Sequence, residues 1–160
     1  MELKTKVHAE DGKQEIIITR EFDLPVELLF KAHTNSQIFA EWMSNPHTSA
    51  KVLKFEARKH GGFELAAVDA QDNIVFRSNG VFHNIIENEL IIRTFEMENT
   101  PFPVQLEFLA FEKISDDKSK LIAKSIFKST EDRDNLLKMP FAQGLNMAHD
   151  RLQEVVSKLI

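Results

Sequence analysis

The chain has 160 residues, 42% hydrophobic and 28% charged, a balance that suits one domain with a real core and argues against disorder. Lys and Arg number 20 against 25 Asp and Glu, a formal charge of −5, which argues against a phosphate backbone or an anionic membrane as main partner. The absence of cysteine excludes disulfides, thiolate metal sites and cysteine nucleophiles, and a set of 13 Phe, one Trp and no Tyr places ring surface in dry interiors.

The opening Met1-Glu2-Leu3-Lys4-Thr5-Lys6-Val7-His8 is too polar for the apolar region of a signal peptide. No apolar run approaches the roughly 18 residues of a membrane span, so a soluble, cytoplasmic protein is expected. No linker, low-complexity tract or repeat divides the sequence, and residues 1–160 are read as a single domain.

Gln14 to Phe22 holds the β-branched run Ile16-Ile17-Ile18-Thr19 and reads as a strand. It stops at Asp23-Leu24-Pro25, where Asp23 is a candidate helix cap and Pro25 fits a first turn. Val26, Leu29, Phe30 and His33 then share one helical face. A second short helix, roughly Ser36 to Trp42, ends before Asn45-Pro46. Strand patterns follow: Val52 to Phe55, Phe63 to Val68, Ile74 to Ile86, Leu90 to Met97, Val104 to Glu112 and Leu121 to Phe127. After a break at His60, the pair Gly61-Gly62 reads as a tight turn or bulge with positive φ at a strand start, and the last two strands as a hairpin around Ser115-Asp116-Asp117-Lys118. Ser129 or Thr130 caps a closing helix with acids in its first turn, and Pro140 should kink or restart it. Beyond Pro140 an apolar stripe of Leu145, Ala148, Leu152, Val155 or Val156, and Leu159 must be buried against the sheet.

The chain lacks a G-x-S-x-G elbow, an H-E-x-x-H pair and any glycine-rich phosphate cradle. Six scattered histidines show no i, i+4 ligand spacing, so no metal and no cofactor are expected. His33 has two readings: a core histidine bonded to a backbone carbonyl, or a polar group projecting into a ligand cavity. Trp42, beside a proline break, either caps the core or walls a pocket. Met139, Phe141, Gly144, Leu145 and Ala148 either pack on the sheet or form a lid, since Pro140 interrupts the helical ladder and Gly144 weakens it.

Four stretches carry a resemblance to a known family. They are Thr19-Arg20-Glu21-Phe22-Asp23-Leu24-Pro25 with the helix after it, Asn35 to Met43, Arg58-Lys59-His60-Gly61-Gly62-Phe63 with Gly80-Val81-Phe82-His83, and Phe127 to Asp134 with Gly144 and Asp150-Arg151-Leu152. Together they resemble the START-like (helix-grip, SRPBCC) superfamily, and within it the C-terminal domain of activators of the heat-shock protein 90 ATPase. The chain departs from the family's pattern at His33, where a tryptophan is usual, at Met43, where an aromatic is usual, and at Pro140. The resemblance implies an α+β helix-grip fold: a curved antiparallel sheet around a long C-terminal helix, with two short helices after the first strand. Because members of one fold do different things, it specifies the fold far better than an activity.

The function expected first is non-enzymatic binding of a small, mostly hydrophobic molecule between sheet and C-terminal helix, by a monomer or homodimer. Trp42, Phe63, Phe76, Phe82, Met139, Phe141 and Leu145 are its expected lining, with His33 as orienting group. A second reading is a co-chaperone-like module acting on a heat-shock protein 90 chaperone through an exposed apolar patch. A third is an enzyme of the cyclase or hydrolase sort, which requires a buried acid or base with a shifted pKa.

Overall fold

A computed structural model describes residues 3–160; Met1 and Glu2, the first residues of the segment read as too polar for a signal peptide, lie outside them. The elements run β1 (Lys6–His8), β2 (Glu15–Phe22), α1 (Val26–Thr34), α2 (Ser36–Met43), β3 (Ser49–Phe55), β4 (Gly62–Val68), β5 (Ile74–Ile86), β6 (Leu90–Met97), β7 (Gln105–Ser115), β8 (Lys118–Ile126), α3 (Thr130–Leu137) and α4 (Phe141–Ser157). The eight strands form one sheet in the order β1-β2-β8-β7-β6-β5-β4-β3, every neighbouring pair antiparallel. This is the expected α+β helix-grip arrangement, with α4 laid along the concave face.

Alternation decides which side chains reach that face. In β2, Ile16, Ile18, Arg20 and Phe22 are buried while their neighbours are half-exposed. Register shifts between Val52 and Lys54, Ala67 and Val68, Phe82 and Asn84, and Lys113 and Ser115 add the local twist that curves a sheet. Strand β1 went unpredicted because its three residues contribute only Val7 as an apolar anchor.

The helices refine the sequence reading at three points. Asp23 does not cap α1, whose N-terminus is Pro25 without a side-chain cap; Asp23 instead pairs with Lys118 at 3.0 Å. Asn35 caps α2, its Oδ1 accepting from the Ile38 N–H at 3.1 Å. The closing helix is two helices: Ser129 caps α3 by accepting from the Asp132 N–H, and the chain restarts at Pro140 as α4. Leu152 and Val156 are fully buried in α4, whereas Leu159, counted on the same stripe, lies past the helix end and is 54% exposed. Among the described residues no helix is long and apolar enough to cross a membrane.

The glycine pair also differs from expectation. The positive φ belongs to His60, at 69°, and not to Gly61 or Gly62. Gly61 is needed for room: a Cβ there would stand 2.1 Å from the Glu56 carbonyl oxygen.

Candidate functional site

Between α4 and the concave face lies a cavity of about 360 Å³. Its roof and walls are apolar. Helix α2 presents Phe39, Trp42 and Met43, α4 presents Phe141, Leu145 and Ala148, and the sheet adds Phe95, Met97 and Leu109. Pro140 and Gly144 line the cavity and are also exposed, which puts its mouth at the α3–α4 junction.

Trp42 is held by its own polar atom. Its Nε1–H donates to the Ala32 carbonyl at 2.8 Å, so the indole presents only ring surface to the void. His33 is bonded to a backbone carbonyl, and its ring also lines the cavity. Its Nδ1 lies 2.9 Å from the Leu29 carbonyl, the oxygen one helical turn back, which assigns the ring proton to Nδ1 and leaves Nε2 an acceptor. The ring stands edge-on to Trp42 and Phe111 and also lines the cavity. Burial pushes its pKa down to about 4, with the Leu29 bond opposing and the Arg93 charge reinforcing the shift. The imidazole is therefore neutral at pH 7.

A second imidazole, His149 of α4, lines the same space. Its Nδ1 is 2.8 Å from Thr5 Oγ1, and burial, then the proximity of His33 and Arg20, pushes its pKa down to about 3. Behind it Arg20, 2% exposed, bonds Asp150 and Asn146 and lies over the Phe22 ring, while among the described residues its Nε has no partner.

The floor is polar. Arg93 of β6 faces Glu107 of β7 across the strand register, its Nε 2.8 Å from Oε1, and the two side chains are only 11% and 12% exposed. Gln105 Nε2 donates to the other carboxylate oxygen at 2.7 Å and reaches Ser125 Oγ at 3.4 Å. All four residues line the cavity. Burying an ion pair costs desolvation that further hydrogen bonds help to offset, and the Gln105 amide supplies a second bond to Glu107.

Of the residues singled out in the sequence, Trp42, His33, Phe141 and Leu145 line this cavity. The other four lie elsewhere. Phe63 and Phe82 are buried at 1% and 0% exposure in a ring cluster with Phe55. Phe76 is exposed near the start of β5, and Met139 is exposed at the α3–α4 junction. Sequence reasoning missed Arg93, Gln105, Glu107, Ser125 and His149. The available signal was period-two alternation, which puts Gln105 and Glu107 on the face of Leu109 and Phe111, and Arg93 on that of Ile91 and Phe95.

Solved structures with this fold span nearly the whole chain. A crystal structure of a Rhodobacter sphaeroides protein has a TM-score of 0.86 at 15% identity, covering 97% of this chain and 99% of that one. A solution structure from Arthrobacter aurescens has a TM-score of 0.83 at 16% identity, covering 96% and 91%. One from Staphylococcus epidermidis has a TM-score of 0.80 at 22% identity, covering 94% of each chain. At these identities the likeness is one of fold. No curated protein matches the sequence. The family model described as Activator of Hsp90 ATPase homolog 1-like protein matches residues 23–157, and the chain belongs to that family.

Proposed function

We propose that the protein binds a small, mostly apolar molecule in the cavity between α4 and the sheet. The observation that carries this reading is the cavity itself: about 360 Å³, walled by rings, thioethers and aliphatic groups around a few convergent polar side chains. Binding would remove apolar surface from water on both partners, at about 25 cal/mol per Å².

The test uses the single tryptophan and the mouth. Titration with a panel of uncharged aromatic and aliphatic compounds should change Trp42 emission saturably for at least one member and raise the melting temperature by mass action. Gly144 lines the cavity and a Cβ on it meets nothing within 4 Å, so Gly144→Leu should fill the mouth and abolish both responses while the fold persists. A silent panel, or a Gly144→Leu protein that binds as well as the parent, overturns the proposal.

A second reading rests on a different surface. Ile74, Val75 and Phe76 are 46%, 56% and 37% exposed in succession at the start of β5, an apolar run of the kind a protein partner covers. A co-chaperone-like module, in keeping with the family's name, would use that run. Binding of a chaperone's middle domain that is lost in Val75→Glu, with no small-molecule response, would put this reading first.

A further inference from the structure

The cavity floor carries a charge balance that limits what it can hold. Arg93 contributes one positive charge and Glu107 one negative, and they neutralise each other at 2.8 Å. His33 and His149 face the same space as neutral rings. Any full charge on a ligand would enter without a counter-charge to spare. A carboxylate in particular would meet the Glu107 carboxylate inside a site of low dielectric, where like charges cost most.

The floor still has unused hydrogen-bonding capacity. Arg93 donates to Glu107 through Nε, and among the described residues no acceptor takes a hydrogen from its Nη1 or Nη2. Gln105 uses its Nε2, leaving Oε1 as an acceptor, and His33 leaves Nε2. Donors and acceptors are thus both on offer around a neutral centre.

We propose, building on the cavity reading above, that the ligand is uncharged and carries a head group that both accepts and donates hydrogen bonds, such as a carboxamide or a hydroxyl. Its acceptor oxygen takes hydrogens from Arg93 Nη, its own N–H or O–H donates to His33 Nε2 or Gln105 Oε1, and its apolar body lies under Trp42 and Phe141. Glu107 is the specificity determinant. By holding Arg93 and cancelling its charge, it turns what would be an anion site into a site for neutral polar groups.

A matched pair of probes tests this: 2-naphthamide and 2-naphthoate, nearly equal in size and shape and different in charge at pH 7.5. Isothermal titration calorimetry on the intact protein should give the amide an affinity at least about tenfold higher than the carboxylate. In Glu107→Gln the floor becomes net positive, and the carboxylate should gain at least about tenfold while the amide changes little. Equal or tighter binding of naphthoate to the parent protein overturns the proposal, and so does a Glu107→Gln protein that keeps the parent's preference. Should Glu107→Gln fail to fold, as judged by circular dichroism, the parent's discrimination between the two probes still decides. If both probes are silent while other uncharged compounds bind, the head-group assignment falls and the cavity reading stands. If nothing binds, the cavity reading falls with it.

Discussion

The two halves of the concave face solve the same problem in opposite ways. Around β3, β4 and β5 it is packed solid: Phe55, Phe63 and Phe82 meet with ring centroids 5.3–6.3 Å apart, and Phe39 closes on Phe55 at 5.5 Å. Around β6, β7 and β8 the face carries Arg93, Gln105, Glu107 and Ser125, and the space above it is left unfilled. Rings without polar atoms can fill an interior because nothing in them demands a partner. A bonded polar floor cannot be covered so closely without stranding some of its donors and acceptors, and it favours a void that a partly polar molecule could occupy.

The packed half should be the less forgiving of change, and the largest effect is expected at Gly80. A Cβ there would lie 2.1 Å from the Thr94 carbonyl oxygen and 2.4 Å from Phe63 Cε1. Backbone and a locked ring cannot both retreat, so Gly80→Ala should cost about 4 kcal/mol or more, read as loss of cooperative unfolding at ordinary temperature. Leu152→Asp, on the fully buried stripe of α4, should be of similar size because it buries an unpaired carboxylate. Phe82→Ala should cost about 3–5 kcal/mol through the cavity it opens. Phe141→Ala, which only widens a space already present, should cost about 1 kcal/mol or less. Equal costs for the two Phe variants in denaturant titrations would erase the distinction between the halves.

Much of this was legible in the chain and some was not, for physical reasons. The β-branched run in β2, the Val26–Leu29–Phe30–His33 face and the α4 stripe are local periodicities, and local periodicity survives folding almost unchanged. Which phenylalanine fills and which lines is a matter of strand register. Phe63 lies opposite Gly80, and Phe82 opposite Arg93, pairings set by bulges that leave no mark in composition. The Arg93–Glu107 pair was half visible, since each strand places a charged residue next to apolar ones on the same face, Arg93 between Ile91 and Phe95 and Glu107 beside Leu109. That they meet depends on a non-local register between β6 and β7. His149 follows Leu145 by four and precedes Leu152 by three, a helical spacing that marked it as facing inward. As a lone ring with no second histidine at ligand spacing, it carries no further mark in the sequence.

Acid should break the hollow half from within. His33 and His149 have folded-state pKa values of about 4 and about 3, below the ordinary 6.5, chiefly because burial disfavours the charged ring. The unfolded chain therefore binds more protons than the folded one between those values and 6.5. Stability is unaffected by these groups above about pH 6.5 and declines as pH falls from there towards 4. The loss should be on the order of 3 kcal/mol for His33, with His149 adding to it. Unfolding free energies measured from pH 7.5 to 4 should show this slope, and His33→Gln should flatten part of it. A slope unchanged in His33→Gln would mean that the ring is not desolvated as the cavity geometry requires.

The smallest expected effect sets the hollow half apart most directly, because its sign reverses. Gly144 sits early in α4 and a Cβ on it meets nothing within 4 Å, in contrast to the crowding at Gly80. Gly144→Ala removes backbone freedom from the unfolded chain and adds a good helix former, while its one methyl projects into open space at the mouth. It should therefore stabilise the protein by about 0.5–1 kcal/mol, raising the melting temperature by a few degrees. The same substitution chemistry at Gly80 should abolish folding, so the pair isolates available space as the cause. A destabilised Gly144→Ala protein would mean that the start of α4 closes down on the cavity in solution, and the void between helix and sheet would then be smaller than its lining residues define.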